Sequence, residues 1–162
     1  MIKAPKNLDR LDRNILEALQ EDGRISYVDL AAKVGLSSTP CMERVKRLER
    51  DGFILGYYAR LNPSLMDHEL LVFVEISLQH QSPEAFQNFT DAAKSLKYVQ
   101  ECHLVSGGSD YLVKARIKDI SEYRSLLGDM LLVLPGVKNS KSYIVMEEIK
   151  ETLNIPINTQ NQ

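Results

Sequence analysis

The sequence predicts an α+β protein with two domains and a linker between them. Apolar residues recur at helical spacing in the first third of the chain and alternate at strand spacing in the rest, where the elements follow the order β-α-β-β-α-β. With 162 residues, the chain is long enough for two small domains. We therefore divide it into a helical domain over 1–53, a β linker or wing over 54–66, an α+β domain over 67–150 and a flexible tail over 151–162.

The first two helices are predicted from apolar spacing and from residues that favour helix ends. Leucine and isoleucine recur at helical intervals over 8–19, and Asp9 and Asp12 lie near the positive end of that helix dipole. Gly23 ends this helix, and Ser26 or its neighbour caps the next one. The second helix is expected to turn three apolar side chains inward: Val28, Ala31 and Val34.

A third helix completes a pattern that is typical of a winged helix-turn-helix. The small side chain of Ala31 allows two helices to cross closely, and Gly35 suits a turn in which the backbone needs a positive φ. Ser37 is a predicted N-cap, and Pro40 falls in the first turn, where a missing N–H is tolerated. The helix ends at Asp51 and buries one apolar stripe: Cys41, Val45 and Leu48.

The other face of the third helix is basic, which predicts that it binds in a groove of double-stranded DNA. On a helical wheel Arg47 points away from the buried stripe and can read a base, whereas Arg44 lies on the flank, where it suits a phosphate. Glu43 can accept from a cytosine amine or hold a neighbouring arginine. The predicted DNA-binding residues are Ser38, Thr39, Glu43, Arg44, Lys46, Arg47 and Arg50. The alternative is a helical hairpin whose basic face is merely solvated.

A linker strand and a second domain follow the helices. The linker strand covers 54–61 and ends at Asn62 and Pro63. The second domain is predicted to contain a strand over 70–78, a helix opened by Ser82 that runs to about residue 96, strands over 99–106 and 111–117, a helix capped by Ser121 that runs through residue 134, and a strand over 140–149. A hairpin at Gly107 and Gly108 joins the two middle strands. This order is that of a ferredoxin-like βαββαβ unit.

The sheet of this second domain is expected to need a partner. Its helices cover only one face, yet the other face also carries apolar side chains: Leu71, Phe73, Leu112, Tyr143 and Val145. The economical cover for such a face is a second copy of the same sheet. We therefore expect a homodimer.

Composition and motifs argue against several other classes of protein. The chain has 44% hydrophobic and 26% charged residues, and it shows neither a signal peptide nor an apolar run long enough to span a membrane. Cys41 and Cys102 lie in apolar patterns and are expected to be small buried side chains, and the histidines are scattered, so we predict no metal and no other cofactor. An enzyme is the competing hypothesis, but Glu147 and Glu148 alternate sides on a strand and cannot form a paired acid and base.

The whole chain resembles the Lrp/AsnC family of bacterial and archaeal transcription regulators. The resemblance is carried by LDRLDRNILEALQEDGRIS, LAAKVGLSSTPCMERVKRLERDGFI, LLVFVEISL, VQECHLVSGGSDYLVKARIKDISEYRSLL and LPGVKNSKSYIVMEEIK. It implies a sequence-specific DNA-binding regulator of transcription, not an enzyme, whose DNA binding or assembly is modulated by a small effector, usually an amino acid. It also implies dimers that assemble further into rings, often octamers, on which DNA wraps. Such a protein is expected in the cytoplasm, associated with the nucleoid.

The resemblance also implies where the effector binds. The predicted effector-binding residues are Gly107, Gly108, Ser109, Asp110, Ile120, Tyr143, Ile144 and Val145. Without the family, the N–H groups of a glycine-rich turn can cradle a carboxylate while Asp110 accepts from an ammonium. The alternative is an ordinary hairpin in which Asp110 caps backbone donors.

The resemblance favours leucine, or a similar apolar amino acid, as the effector. The chain departs from the family at Gly108 and Ser109, where close relatives often carry an acidic or polar residue and then an aromatic one. An architectural DNA-compacting protein without an effector is therefore the alternative function.

Overall fold

The computed structural model describes residues 7–157, apart from the side chains of residues 126, 127 and 129–132. The chain divides into two compact units. One is formed by the described residues of Met1–Arg60 and Glu151–Gln162, and the other is Leu61–Lys150.

The described part of the tail, residues 151–157, belongs to the first unit, and the rest of the predicted flexible tail, residues 158–162, lies outside the described residues. The backbone N–H of Ile155 donates to Gln20 Oε1 over 2.6 Å, and the Gln20 amide donates back to the Ile155 carbonyl over 3.0 Å. Arg60 also forms an ion pair with Glu151, with 2.9 Å between Nη2 and Oε2. These contacts connect the tail to the first helix and to the segment that follows the third.

Three helices form the first unit: α1 (Arg10–Glu21), α2 (Tyr27–Val34) and α3 (Ser38–Arg50). Asp9 and Asp12 form a capping box at the start of α1, in which each side chain accepts from the backbone N–H of the other residue. Ser26 caps α2 as predicted, and Gly35 ends it with φ at 73° in the left-handed region. Ser37 occupies the N-cap position of α3, but its side chain makes no capping hydrogen bond.

The core of the first unit lies where the three helices meet. Its buried residues are Ile15, Ala18, Leu30, Ala31, Val34, Cys41, Val45 and Leu48. The buried stripe predicted for α3 is therefore confirmed. The inward orientation predicted for Val28 is wrong, because this side chain is 67% exposed and Leu30 is buried instead. The buried residues of α2 define an arc of the helix, and Val28 lies roughly 110° from the centre of that arc.

The linker does not form the strand that was predicted over 54–61. Residues 54–62 make no strand within the described chain, since an extended segment needs a neighbouring strand to satisfy its backbone groups. The linker is instead held by Tyr57, whose hydroxyl donates to Glu49 Oε1 over 3.0 Å. Partial burial and this hydrogen bond raise the pKa of Tyr57 to about 12. A short 3₁₀ turn, Pro63–Met66, follows.

The second unit is an antiparallel sheet with two helices. Its elements are β1 (Leu70–Leu78), α4 (Pro83–Ser95), β2 (Val99–Leu104), β3 (Tyr111–Ile117), α5 (Ile120–Val133) and β4 (Val137–Ile144). The strand order β2-β3-β1-β4 confirms the predicted ferredoxin-like βαββαβ arrangement.

The ends of three elements differ from the prediction. β2 ends at Leu104 rather than at residue 106, and β4 spans residues 137–144 rather than 140–149 because its pairing with β1 begins at Leu78. Asp119 caps α5 in place of Ser121. The Asp119 carboxylate accepts from the backbone N–H groups of Ser121, over 2.8 Å, and of Glu122, over 3.2 Å. Asp119 directly precedes the first helical residue, which is where a capping side chain must lie.

The two faces of the sheet differ in their cover. The helix-covered face holds the core: Val72, Val74, Ile76, Leu78, Phe89, Ala93, Tyr111, Val113, Ala115, Ile117 and Leu134. Phe89 stacks on Tyr111 with the ring centroids 4.1 Å apart. On the other face Phe73 lies beside Tyr143 in register, and Tyr143 is 41% exposed although Leu71 is buried. The second face therefore combines buried and open apolar positions.

The two cysteines have different environments. Cys41 is buried in the core of the first unit as predicted, and burial raises the pKa of its thiol. Cys102 was also expected to be buried but is exposed. It lies on β2, an edge strand of the sheet on which almost every side chain is exposed.

Candidate nucleic-acid interface and ligand site

The polar face of α3 divides into free and anchored side chains. The exposed residues of the predicted DNA-binding set are Ser38, Thr39, Glu43, Lys46 and Arg50, whereas Arg44 and Arg47 are half-buried. Arg50 reaches the neighbouring Asp51 over 3.3 Å, and Lys46 makes no ion pair within the described residues. The structure therefore presents cations on this face, but Arg44, Arg47 and Arg50 are each paired with a carboxylate of the protein.

Arg44 and Arg47 both donate to one buried carboxylate of α1. Arg47 Nη2 lies 2.5 Å from Asp12 Oδ1, and Arg44 Nη1 lies 2.8 Å from the same oxygen. Asp12 is only 1% exposed, while the arginine side chains retain 38% and 28% exposure respectively. The predicted outward direction of Arg47 consequently holds for only part of its side chain.

Asp9 adds a second acceptor for Arg44. The Arg44 guanidinium donates to Asp9 Oδ2 over 2.6 Å. Burial disfavours the charged form of Asp9, but hydrogen bonds from the Asp12 N–H and from the Arg44 guanidinium outweigh it, so that the pKa of Asp9 lies below its usual value. The spacing of the two acids signals a capping box in the sequence, whereas their pairing with arginines of α3 has no local signal.

Glu43 does not hold a neighbouring arginine. It is exposed and makes no ion pair within the described part of the chain, where Asp9 and Asp12 perform that role. Contact with a base therefore stays a prediction for Glu43.

The glycine-rich hairpin presents backbone donors. Gly107 has φ at 150°, a conformation that side chains rarely adopt. Within the described part of the chain, the N–H groups of Gly107, Gly108 and Ser109 make no hydrogen bond. They are thus free to donate to a carboxylate.

Asp110 is already engaged by the protein. Its side chain is nearly buried, and its carboxylate accepts from the Leu78 N–H over 2.7 Å and from Gln81 Nε2 over 2.8 Å. Asp110 thus caps a backbone donor of β1, and these two hydrogen bonds do not decide between an effector contact and a hairpin-capping role. A carboxylate has about four acceptor sites, so two hydrogen bonds leave room for an ammonium.

The predicted effector residues fall into two groups. The hairpin group, which consists of Gly107, Gly108, Ser109 and Asp110, lies at one end of β1, where the Asp110 N–H donates to the Ile76 carbonyl. The far-end group consists of Ile120, Tyr143, Ile144 and Val145. Its β4 members lie at the other end of β1, where the Val145 N–H donates to the Leu71 carbonyl. Leu71 and Ile76 are roughly 17 Å apart at the rise of a strand, so one copy does not bring both groups to one small ligand.

Two concavities lie on the second unit. One, of about 360 Å³, includes a member of the far-end group and is lined by Ser64, Glu69, Leu70, Leu71, Val145, Met146, Glu147 and Glu148. It combines an apolar wall with carboxylates, and Glu148 is paired with Arg116 over 2.6 Å. The other, of about 610 Å³, is an open groove between α4 and β2 that includes Phe86 and Leu104 and neither effector group.

None of the described helices is both long and apolar enough to cross a membrane. The described side chains contain no cluster of three or more metal-ligating residues.

Two protein families match successive parts of the chain. Winged helix-turn-helix DNA-binding domains match residues 8–54, and Lrp/AsnC ligand binding domains match residues 71–155. Together they account for the basic helix and for the βαββαβ sheet.

Individual proteins match along almost the whole chain. The leucine-responsive regulatory protein of Escherichia coli K12 is 57% identical over 155 residues, which is 96% of this chain and 94% of that protein. A transcriptional regulator of Neisseria meningitidis, solved with L-methionine, superposes with a TM-score of 0.89 at 34% identity and covers 94% of this chain and 98% of its own. An AsnC family regulator from Agrobacterium tumefaciens gives a TM-score of 0.90 at 36% identity, with 95% and 100% of the two chains covered.

Proposed function

Since this chain belongs to the Lrp/AsnC family of transcriptional regulators, we propose that α3 binds in a groove of double-stranded DNA and that a small apolar amino acid modulates this binding. The observation that carries the proposal is the pairing, in one chain, of a basic recognition helix with an Lrp/AsnC ligand binding domain. The family consists of transcriptional regulators, not of enzymes.

The DNA contacts are assigned by exposure and charge. Lys46 and Arg50 are exposed cations suited to phosphates, and the free edge of the Arg47 guanidinium suits a guanine. Ser38 and Thr39, at the start of the helix, are placed for contacts to phosphates or bases. Arg44 lies on the flank, where a phosphate contact adds affinity without sequence preference.

The effector proposed is leucine or a similar apolar amino acid. The E. coli relative is a leucine-responsive regulatory protein, and the N. meningitidis relative was solved with L-methionine. The free N–H groups at Gly107, Gly108 and Ser109 suit the ligand carboxylate, and the remaining acceptor capacity of Asp110 suits its ammonium. The far-end group supplies an apolar wall for the side chain.

The proposed site lies between subunits. Because the hairpin group and the far-end group are at opposite ends of β1, a ligand that touches both needs the hairpin of one copy beside the far end of another. The partly open apolar face around Phe73 and Tyr143 supports a homodimer, and a ring of dimers such as an octamer provides further contacts between copies. Association with the nucleoid in the cytoplasm follows from this function.

A titration with DNA and amino acids tests the proposal. A duplex that binds specifically is first selected from a random library with the wild-type protein, and its affinity is measured with leucine, methionine or alanine present. We expect leucine or methionine to change the affinity or the assembly state, and alanine to act more weakly because it lacks a large apolar side chain. By linkage, the ligand must also bind with a different affinity when DNA is present.

The DNA titration, together with calorimetry of amino-acid binding, decides between this function and the architectural alternative. If calorimetry detects no heat for any of the amino acids, and neither DNA affinity nor assembly changes, the protein compacts DNA without an effector. If no selected duplex binds better than a scrambled one, the sequence-specific interface is wrong.

A further inference from the structure

We propose that Asp12 is a positioning residue for DNA recognition: its buried carboxylate holds the Arg47 guanidinium of α3 in the orientation that reads a base. This inference rests on the proposed role of α3 as the recognition helix. It assigns a function in DNA binding to a residue of α1 that does not face the DNA.

The geometry makes Arg47 depend on Asp12 alone. Arg44 donates to both Asp9 and Asp12, whereas Arg47 Nη2 donates only to Asp12 Oδ1 within the described residues. The other carboxylate oxygen, Asp12 Oδ2, accepts from the backbone N–H of Asp9 over 3.2 Å. Asp12 is therefore fixed from both sides, by the start of α1 and by two side chains of α3.

The burial of Asp12 explains how its carboxylate can orient the Arg47 guanidinium. A carboxylate at 1% exposure cannot be solvated, so it must keep its cationic partners. The guanidinium carries five N–H donors in a rigid fork, and fixing one of them orients the rest. Since the Arg47 side chain is still 38% exposed, donors remain available outside the protein. A side chain that is already ordered loses less conformational freedom when it binds a base.

The same pair of acids also sets the charge of the surface. Asp9 and Asp12 neutralise Arg44 and Arg47, so that these two arginines add less to the unspecific attraction of α3 for phosphates than Lys46, which makes no ion pair within the described residues. Removing either acid leaves one more positive charge on the surface. Removing Asp12 should therefore strengthen unspecific binding through the added charge, and weaken specific binding through the loss of Arg47 positioning.

Asp12→Asn is tested against the matched control Asp9→Asn. Both changes remove one negative charge and keep a side chain that can accept a backbone hydrogen bond, but only Asp12→Asn releases Arg47. Affinities are measured over a range of salt concentrations for a duplex selected from a random library and for a scrambled duplex of the same composition. Both variants are expected to bind the scrambled duplex more tightly than the wild type.

The ratio of the affinity for the selected duplex to that for the scrambled duplex then measures the effect of positioning Arg47 apart from the effect of charge. Asp12→Asn is expected to reduce this specificity ratio by about tenfold, in line with the loss of one base-reading side chain, whereas Asp9→Asn changes it by less than about twofold. A purely structural role of Asp12 would weaken binding to both duplexes equally. Equal specificity ratios for the two variants would overturn the inference.

A second comparison covers the case in which Asp12→Asn does not fold because two guanidiniums meet without their carboxylate. The double variant Asp12→Asn with Arg47→Ala relieves that repulsion and is compared with Arg47→Ala alone. With Arg47 absent, the two specificity ratios should be equal. A further loss in the double variant would mean that Asp12 affects specificity without Arg47 and would contradict the inference. If Arg47→Ala itself binds as the wild type does, the proposed base contact of Arg47 is wrong. If Arg47→Ala loses specificity while Asp12→Asn keeps it, the DNA contact of Arg47 is supported and the positioning role of Asp12 is wrong.

Discussion

At position 12, one carboxylate completes the capping box at the start of α1 and also neutralises two arginines of α3. Its sequence neighbours indicate only the first of these functions, because capping is local and the arginines come more than thirty residues later. Cys41 shows the opposite situation, since its burial follows directly from helical periodicity. Cys41 is therefore explained by its neighbours in the sequence, whereas the ion pairs of Asp12 are explained only by the packing of α1 against α3.

Cys41 is predicted to be an apolar core residue and not a redox switch. Cys41→Val should change the free energy of unfolding by less than about 1.5 kcal/mol, because volume and polarity are similar. Cys41→Asp should unfold the first unit, because it buries an unpaired charge. Chemical denaturation and DNA titration of both variants check this. A loss of DNA binding on mild oxidation that Cys41→Val abolishes would contradict it.

At the scale of elements, helix ends and turns depend on single side chains with special geometry. The capping box fixes the start of α1, and Gly107 fixes the bend of the hairpin between β2 and β3. Both features adjoin proposed binding surfaces, so changes in them test the fold and the function together.

Protonation of Asp9 is predicted to weaken the start of α1. Because the pKa of Asp9 in the folded state lies below the ordinary value of 3.8, its contribution to stability is fully present above that pH and is lost as the pH falls through the folded value. The difference in Tm between the wild type and Asp9→Asn should therefore be largest near neutral pH and shrink below about pH 4. Thermal unfolding at several pH values checks this, with Glu43→Gln as the control. A gap that grows in acid would contradict the sign.

Alanine substitutions at Gly107 and Gly108 should show whether the backbone of the hairpin requires a glycine at position 107. An added Cβ meets no atom within 4 Å at either position, but only Gly107 has φ in the region that disfavours side chains. Gly107→Ala is therefore expected to cost roughly 1–3 kcal/mol of stability, and Gly108→Ala less than about 0.5 kcal/mol. Urea unfolding of both variants measures the difference. Equal costs would show that the backbone at Gly107 is not constrained as described.

At the scale of the whole molecule, one chain leaves its proposed functions incomplete. Among the described residues the linker pairs with no strand, one face of the sheet has open apolar positions, and the two effector groups are separated along β1. A second copy of the chain could pair with the linker, cover the apolar face and bring the two effector groups together. The homodimer is therefore central to the proposal.

A charge on the uncovered face should break the proposed dimer. Phe73→Lys places an ammonium beside Lys114 and Tyr143 of the adjacent strands, where a packed interface would bury it. Analytical ultracentrifugation of the full chain should show a shift toward smaller species. Asn88→Lys adds the same charge on the exposed side of α4 and should leave the assembly unchanged. If Phe73→Lys assembles as the wild type does, this face is not the interface.

The α+β class, the helix-turn-helix, the ferredoxin-like unit and the buried stripe of α3 could all be predicted from the amino-acid sequence. These follow from periodicity and from caps, which act between residues close together in the chain. Three features became visible only in the folded chain: Asp12 anchors Arg44 and Arg47, Leu30 rather than Val28 enters the core, and the predicted effector residues divide between two ends of β1. Each of these depends on residues that are distant in sequence, and burial together with charge pairing selects them once the helices and strands have packed.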